Sequence, residues 1–181
     1  MRFLSLMGFA LALLFCSSVN ASVVFFDNFG TGDTYNGYSG YIIGGSARFE
    51  QAFEFTAQTS GFAEMVTMGL THYAGQNTPT KIKLFADDFG RPGVLLEEIL
   101  VTDFAERFSG NTTEAFFSGT TYLNEGVKYW LGAEALSGQV SFDHNSTGVM
   151  GNRAYIRGIS GNTWILDHVM MPAFRIGSIP T

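Results

Sequence analysis

The chain has very little cysteine, few basic residues and no second long hydrophobic run after the one in its leading segment, residues 1–21. Its single cysteine, Cys16, lies in that leading segment, so the rest of the chain has neither a disulfide framework nor a catalytic thiol. Ten lysines and arginines face sixteen acidic residues, a formal net charge of −6, and the basic residues form no cluster. This balance argues against nucleic acid and against anionic membrane surfaces as partners.

The first twenty-one residues have the pattern of a secretory signal peptide. Arg2 supplies a positive start, Phe3 to Phe15 form an apolar run, and Val19-Asn20-Ala21 supplies the small residues of a cleavage site. The run is too short for a membrane span, which needs about 20 apolar residues. We therefore expect cleavage after Ala21 and no membrane span in residues 22–181. The expected location is secreted or periplasmic.

Short alternating segments separated by glycine-rich or polar turns dominate residues 22–181, and no window carries a sustained helical stripe. This pattern predicts one all-β domain of two packed antiparallel sheets, a β-sandwich or jelly roll. The segment Asp27 to Gly45, rich in Gly, Tyr, Asn and Ser, is predicted to be a long loop or an edge. We predict strands near residues 49–55, 62–70, 81–85, 95–101, 113–117, 127–135, 138–142, 154–159, 163–169 and 172–176.

Two recognisable motifs lie in the middle of the chain. A Gly-x-Pro-Gly turn, Gly90 to Gly93, precedes the apolar pair Leu95-Leu96, and a Gly-x-x-Tyr-Trp strand runs from Gly126 to Trp130. With Phe53-Glu54-Phe55, these segments resemble the bacterial choice-of-anchor exported domains, which often precede a PEP-CTERM sorting tail. The resemblance covers roughly residues 50–135 and implies a β-sandwich surface module with no settled activity and no catalytic residues to transfer.

The end of the chain departs from the anchored pattern of these domains. It reads Ile179-Pro180-Thr181, without a hydrophobic helix or a basic end. We therefore expect free secretion or a periplasmic location rather than attachment to the cell surface.

The turn after the strand near residues 81–85 offers a candidate calcium site. Asp87, Asp88 and the backbone carbonyls around Gly90 are hard oxygen ligands of the kind that Ca²⁺ prefers, although their spacing is not that of an EF-hand. The alternative is a solvated acidic turn. Calcium is thus the one cofactor that the sequence suggests.

Aromatic residues on polar strand faces suggest a ligand. Tyr129 and Leu131 lie on the apolar side of the strand near residues 127–135, which leaves Trp130 on the polar side and predicts that its ring is exposed. Arg153, Tyr155 and Arg157 share one face of a later strand. A ring flanked by planar donors can stack on a sugar and hydrogen-bond its hydroxyls or a uronate. The alternative is that another sheet or the Tyr35 to Tyr41 loop covers these residues, which then only pack.

Three functional hypotheses remain open. The first is an exported, non-catalytic module of cell-surface or extracellular-matrix type that binds glycans through the residues just named. The second is a jelly-roll polysaccharide-active enzyme, a hydrolase or lyase; no esterase elbow or zinc helix is present, and only fold analogy supports it. Its catalytic carboxylates would be residues such as Glu114, Glu134 or Asp143. The third is a purely structural or protein-interaction domain.

Overall fold

The computed structural model describes residues 22–45, 50–73, 78–156 and 163–180. The predicted signal peptide and Arg157 lie outside these ranges. The described residues form fifteen β-strands and no helix, which confirms the all-β prediction. The strands are β1 (Val24–Asp27), β2 (Tyr35–Gly44), β3 (Glu50–Thr56), β4 (Gly61–Phe62), β5 (Met65–Met68), β6 (Leu70–His72), β7 (Thr80–Asp87), β8 (Pro92–Val101), β9 (Thr113–Phe116), β10 (Tyr122–Leu123), β11 (Lys128–Ala135), β12 (Gln139–Asn145), β13 (Met150–Ile156), β14 (Ile165–Met170) and β15 (Phe174–Gly177).

One layer of the sandwich is a six-stranded antiparallel sheet in the order β14-β13-β3-β11-β7-β8. Its register is set by the apolar pattern, because Phe53 pairs with Leu131 and Leu131 pairs with Leu84, so that these side chains fall on one face. All three are fully buried. We call this the inner face of the six-stranded sheet.

The opposing layer is built from a four-stranded sheet, β1-β15-β5-β9, and a three-stranded sheet, β2-β12-β6. The two are joined at Gly69, which separates β5 from β6. The Gly69 amide donates to the carbonyl of Ala173 at 2.9 Å, and the Asp143 amide donates to the carbonyl of Gly69 at 2.7 Å. The two sheets therefore form one layer with an interruption. A small two-stranded sheet, β10-β4, accompanies them.

The main core lies between the two layers. The six-stranded sheet contributes the inner-face residues already named, and the opposing layer contributes side chains such as Ile43, Val66, Phe142 and Phe174, all fully buried. This arrangement follows from strands whose alternate residues are apolar, since each strand buries one face and leaves the other for solvent or for a second cluster.

Two local predictions differ from the structure. The segment predicted to be a loop or an edge contains the ten-residue strand β2, which is the edge of its sheet, so the edge reading is confirmed and the loop reading is wrong. The strand predicted near residues 62–70 is divided into β4, β5 and β6, and Phe62 is exposed instead of lying in the core. Within the described part of the chain, no helix meets the length and hydropathy needed to cross a membrane.

Candidate functional site

Trp130 does not form an exposed platform, and the prediction that it does is wrong. Its side chain points to the outer face of the six-stranded sheet, as the alternation indicates, but its exposed fraction is 0%. Phe85 and Trp164 pack over this face, with ring centroids 6.0 Å apart, in a second apolar cluster that includes Trp130. The Trp130 Nε1 donates to Asp87 Oδ1 at 2.7 Å. The ring is thus a packing residue with a satisfied polar atom.

Arg153 and Tyr155 do share a face, but it is not the face of Trp130. Arg153 pairs with Phe53 and Trp130 pairs with Glu54, so they project from opposite sides of the sheet. The Arg153 guanidinium lies 4.4 Å from the ring centroid of Tyr41 and 4.9 Å from that of Tyr155.

The hydrogen-bonding groups of Arg153 are already engaged. Nε donates to Asp167 Oδ1 at 2.9 Å, a second nitrogen donates to Asp167 Oδ2, and a third reaches Gln51 Oε1 at 3.3 Å. This bidentate pair neutralises the cation that a ligand would need. The predicted platform of Trp130, Arg153 and Tyr155 therefore does not come together.

The predicted calcium turn brings few ligands together. Both oxygens of Asp87 already accept hydrogen bonds, Oδ1 from Trp130 and Oδ2 from the Gly90 amide at 3.1 Å. Asp88 is exposed beside it. Among the residues that the structure describes, no group of three or more His, Cys, Asp or Glu side chains is arranged to hold a metal. The role of Asp87 in this structure is to tie the turn to Trp130.

The three carboxylates of the enzyme hypothesis lie on three separate strands and do not form a pair across a groove. Glu134 pairs with Lys83 at 2.7 Å on the outer face of the six-stranded sheet. Asp143 belongs to β12 in the opposing layer and is buried, while Glu114 is exposed on β9. A glycosidase needs two such groups on either side of one sugar.

A different surface has the properties of a binding site, and it begins with a bulge in β2. Asp143 pairs with Gly40, whereas the next residue, His144, pairs with Asn36, so residues 37–39 are extruded from the ladder. Tyr38 lies in this bulge and is 82% exposed. Bulges re-aim side chains and are common beside functional sites. Here the bulge holds a tyrosine ring away from the sheet.

Gly40 is required at the base of the bulge. A Cβ at this position would lie 2.6 Å from the carbonyl oxygen of Phe142 and 2.8 Å from Asp143 Oδ1. Only glycine lets β2 approach the Asp143 side chain this closely.

The segment between β8 and β9 supplies the other half of the surface. The Phe108 ring, 53% exposed, stacks on Tyr38 with centroids 5.1 Å apart and an angle of 22° between the rings. The Arg107 guanidinium lies 4.6 Å from the centroid of the Phe108 ring and 4.6 Å from that of Tyr73. We call Tyr38, Phe108, Arg107 and Tyr73 the aromatic–arginine column.

The backbone of Phe108 is itself unusual. Its φ is 65°, in the left-handed region that a bulky residue rarely adopts. Such strain is held only where the surroundings fix it, and it is frequent at binding sites. The hydroxyl of Tyr35 donates to the carbonyl of Asn111 at 2.7 Å and ties the segment to β2.

A buried carboxylate of β12, that of Asp143, lies close enough to Arg107 to interact with it electrostatically. Asp143 is 1% exposed and accepts hydrogen bonds from Thr71 Oγ1 at 3.0 Å and Ser141 Oγ at 2.5 Å. Burial raises the pKa of Asp143 to about 6, although those two hydroxyls and the positive charge of Arg107 oppose the rise. Burial, together with the negative charge of Asp143, also raises the pKa of Tyr35 to about 12.

Sequence reasoning did not find this column. Its members come from β2, from the residue after β6 and from the segment before β9, so no local pattern joins them. The only local signal was the concentration of tyrosines with Gly, Ser and Asn in residues 35–41, which entered only the alternative interpretation, as a cover for other aromatics.

No protein-family model matches the chain. No curated protein matches it at a significant level.

Proposed function

We propose that this protein is an exported, non-catalytic β-sandwich module that binds glycans through the aromatic–arginine column. The proposal keeps the function predicted from the sequence but moves the site from Trp130 to Tyr38 and Phe108. The single observation that carries it is the pair of exposed, stacked rings held in place by a bulge on one side and a strained backbone on the other.

The chemistry of the column suits a sugar. Exposed aromatic rings offer apolar faces to the C–H faces of a pyranose, while an adjacent guanidinium offers planar donors to its hydroxyls. Large exposed apolar surface on a folded protein commonly marks an interaction site. The resemblance to choice-of-anchor exported domains and the predicted signal peptide support a location where glycans are present.

A non-catalytic role is preferred because the carboxylates proposed for an enzyme are not paired across this surface. Of these carboxylates, Asp143 interacts electrostatically with Arg107, but its side chain is buried and is held by Thr71 and Ser141. A catalytic acid must reach the bond that it protonates.

The test is a binding screen with the full chain, expressed with its own leader and purified from whichever cell fraction it reaches. Binding to a panel of polysaccharides is measured with calcium and with chelator, while released sugars are assayed in parallel. We expect binding without release, weakened about fivefold to tenfold by Tyr38→Ala and by Phe108→Ala, since an aromatic stacking contact contributes about 1 kcal/mol.

Phe89→Ala is the matched control. Phe89 is exposed, as Tyr38 and Phe108 are, and like Phe108 it has a positive φ, 51°, but it lies in the turn between β7 and β8 and is not part of the column. Its replacement should leave binding unchanged. Release of sugar would support the enzyme hypothesis instead, and no binding to any glycan would favour a structural or protein-interaction role.

A further inference from the structure

We propose that the glycan bound by the aromatic–arginine column carries a carboxylate, as a uronic or similar acidic sugar does, and that Arg107 binds this group. The inference rests on the proposed function and specifies the class of ligand.

The first argument is that Arg107 has no salt-bridge partner among the described residues. It is half-buried, yet it forms no salt bridge with any residue that the structure describes, and its Nε is buried without a hydrogen-bond partner. Other half-buried cations are paired: Lys83 with Glu50 and Glu134, and Arg153 with Asp167. The buried Nε cannot itself reach a ligand, but a half-buried cation without a salt bridge is costly, so the rest of the guanidinium calls for an anionic partner.

The second argument is that the guanidinium is held ready for a planar partner. The Cζ atom of Arg107 lies 4.6 Å from the ring centroid of Phe108 and 4.6 Å from that of Tyr73. Rings that pack against a guanidinium group hold its orientation and leave its N–H groups to bind a ligand at the edge. That edge fits a carboxylate with two parallel hydrogen bonds.

The third argument concerns the neighbouring charges. Asp143 is close enough to Arg107 to interact electrostatically, but Asp143 and Arg107 form no salt bridge. The two carboxylate oxygens of Asp143 accept hydrogen bonds from Thr71 and Ser141 instead. Among residues 103–111, Asp103 and Glu106 are exposed acids, and the whole chain carries a formal charge of −6. A densely charged polyanion would be repelled by this field. Isolated carboxylates on an otherwise neutral sugar chain fit better.

The test compares one oligosaccharide in two forms, a uronic-acid oligosaccharide and the same chain after reduction of its carboxyl groups to alcohols. With the full protein, we expect the acidic form to bind at least about tenfold more tightly, as a charge-assisted bidentate contact requires. Arg107→Gln should bind both forms with equal affinity. Arg107→Lys should retain a part of the preference, because it keeps the charge but loses the planar edge. A sulfated oligosaccharide of the same length should bind more weakly than the carboxylated one.

Arg91→Gln is the control for loss of a positive charge, since Arg91 is exposed in the turn between β7 and β8. It should keep the preference. Equal binding of the two forms to the native protein, with Tyr38→Ala weakening both, would overturn the carboxylate proposal and leave the glycan-binding function standing. If Arg107→Gln weakens both forms by the same factor, the guanidinium only supports Phe108 and the inference is also wrong. Binding of neither form, nor of any other glycan, would remove both proposals.

Discussion

Replacing Asp143 by asparagine should remove one identifiable component of the pH dependence of folding. The carboxylate is 1% exposed, and burial raises its pKa from 3.8 to about 6. The folded state therefore holds this proton more tightly than the unfolded state does. Between about pH 4 and pH 6 the folded protein is protonated here while the unfolded chain is not, so the free energy of unfolding falls as the pH rises through this window.

The size of the effect follows from the shift. A difference of about two pH units between the folded and unfolded pKa corresponds to roughly 3 kcal/mol, because one unit is about 1.4 kcal/mol. The native protein should therefore lose roughly 3 kcal/mol relative to Asp143→Asn between pH 3.5 and pH 7. The amide of asparagine cannot reproduce both hydrogen bonds from Thr71 and Ser141, but that cost does not depend on pH.

The assay is urea denaturation of both proteins at half-unit steps from pH 3.5 to pH 7.5. The difference between the two free energies of unfolding is the quantity to plot, because contributions from other carboxylates cancel in it. Asp103→Asn, at an exposed position, controls for the loss of one negative charge. If the free energies of unfolding of the native protein and of Asp143→Asn differ by the same amount at every pH, burial does not raise the pKa of Asp143 and the reasoning is refuted.

Three further substitutions test the scaffold by the same denaturation measurement. Trp130→Phe should lower the free energy of unfolding by about 2 kcal/mol, since Asp87 loses a hydrogen bond. Glycan binding should not change, and a loss of binding without a loss of stability would contradict the burial of Trp130. Glu97→Gln should cost about 2 kcal/mol at pH 7, because the carboxylate accepts hydrogen bonds from Ser118 and Thr121 that lower its pKa. This deficit should begin to shrink as the pH falls below about 4.5, where the unfolded chain takes up a proton that native Glu97 resists, and it should continue to shrink until the native carboxylate is protonated too; a deficit that persists in acid would argue against it. Gly40→Ala should cost about 2 kcal/mol or more through its overlap with the backbone of β12, and an unchanged midpoint would show that the bulge can relax.

The strands were accessible from sequence because their signal is local. Alternation assigned Tyr129 and Leu131 to the core and placed Trp130 on the other face, and each placement is correct. Alternation along a strand does not indicate which residues from elsewhere in the chain cover each face of the sheet. Trp164, far from Trp130 in the sequence, packs against its cluster together with Phe85, and no local pattern joins these residues.

The candidate site was harder to predict from the sequence, because it too depends on contacts between distant parts of the chain. Arg153 and Tyr155 share a face as predicted. The hydrogen-bond partners that engage Arg153, Asp167 and Gln51, come from β14 and β3. Tyr38 and Phe108 are seventy residues apart in the chain and meet only because β2 is bulged and the segment before β9 folds back on it. Glycine, serine and asparagine around Tyr38 reduce the apolar signal of β2, which explains why it was predicted to be a loop or an edge.

The two outer faces of the sandwich differ in how completely their polar groups are satisfied. On the six-stranded sheet, salt bridges such as Lys83 with Glu50 surround the Trp130 cluster, and the face is closed. In the described part of the chain, the two buried side-chain atoms without hydrogen-bond partners are Arg107 Nε and His144 Nε2. Both adjoin the β2 bulge, Arg107 through Phe108 and Tyr38, and His144 through its 2.9 Å hydrogen bond to Ser39. Because a folded chain otherwise pairs its buried polar groups, their concentration around one bulge makes this the less completely satisfied side of the described structure, and it is the side on which we propose the binding site.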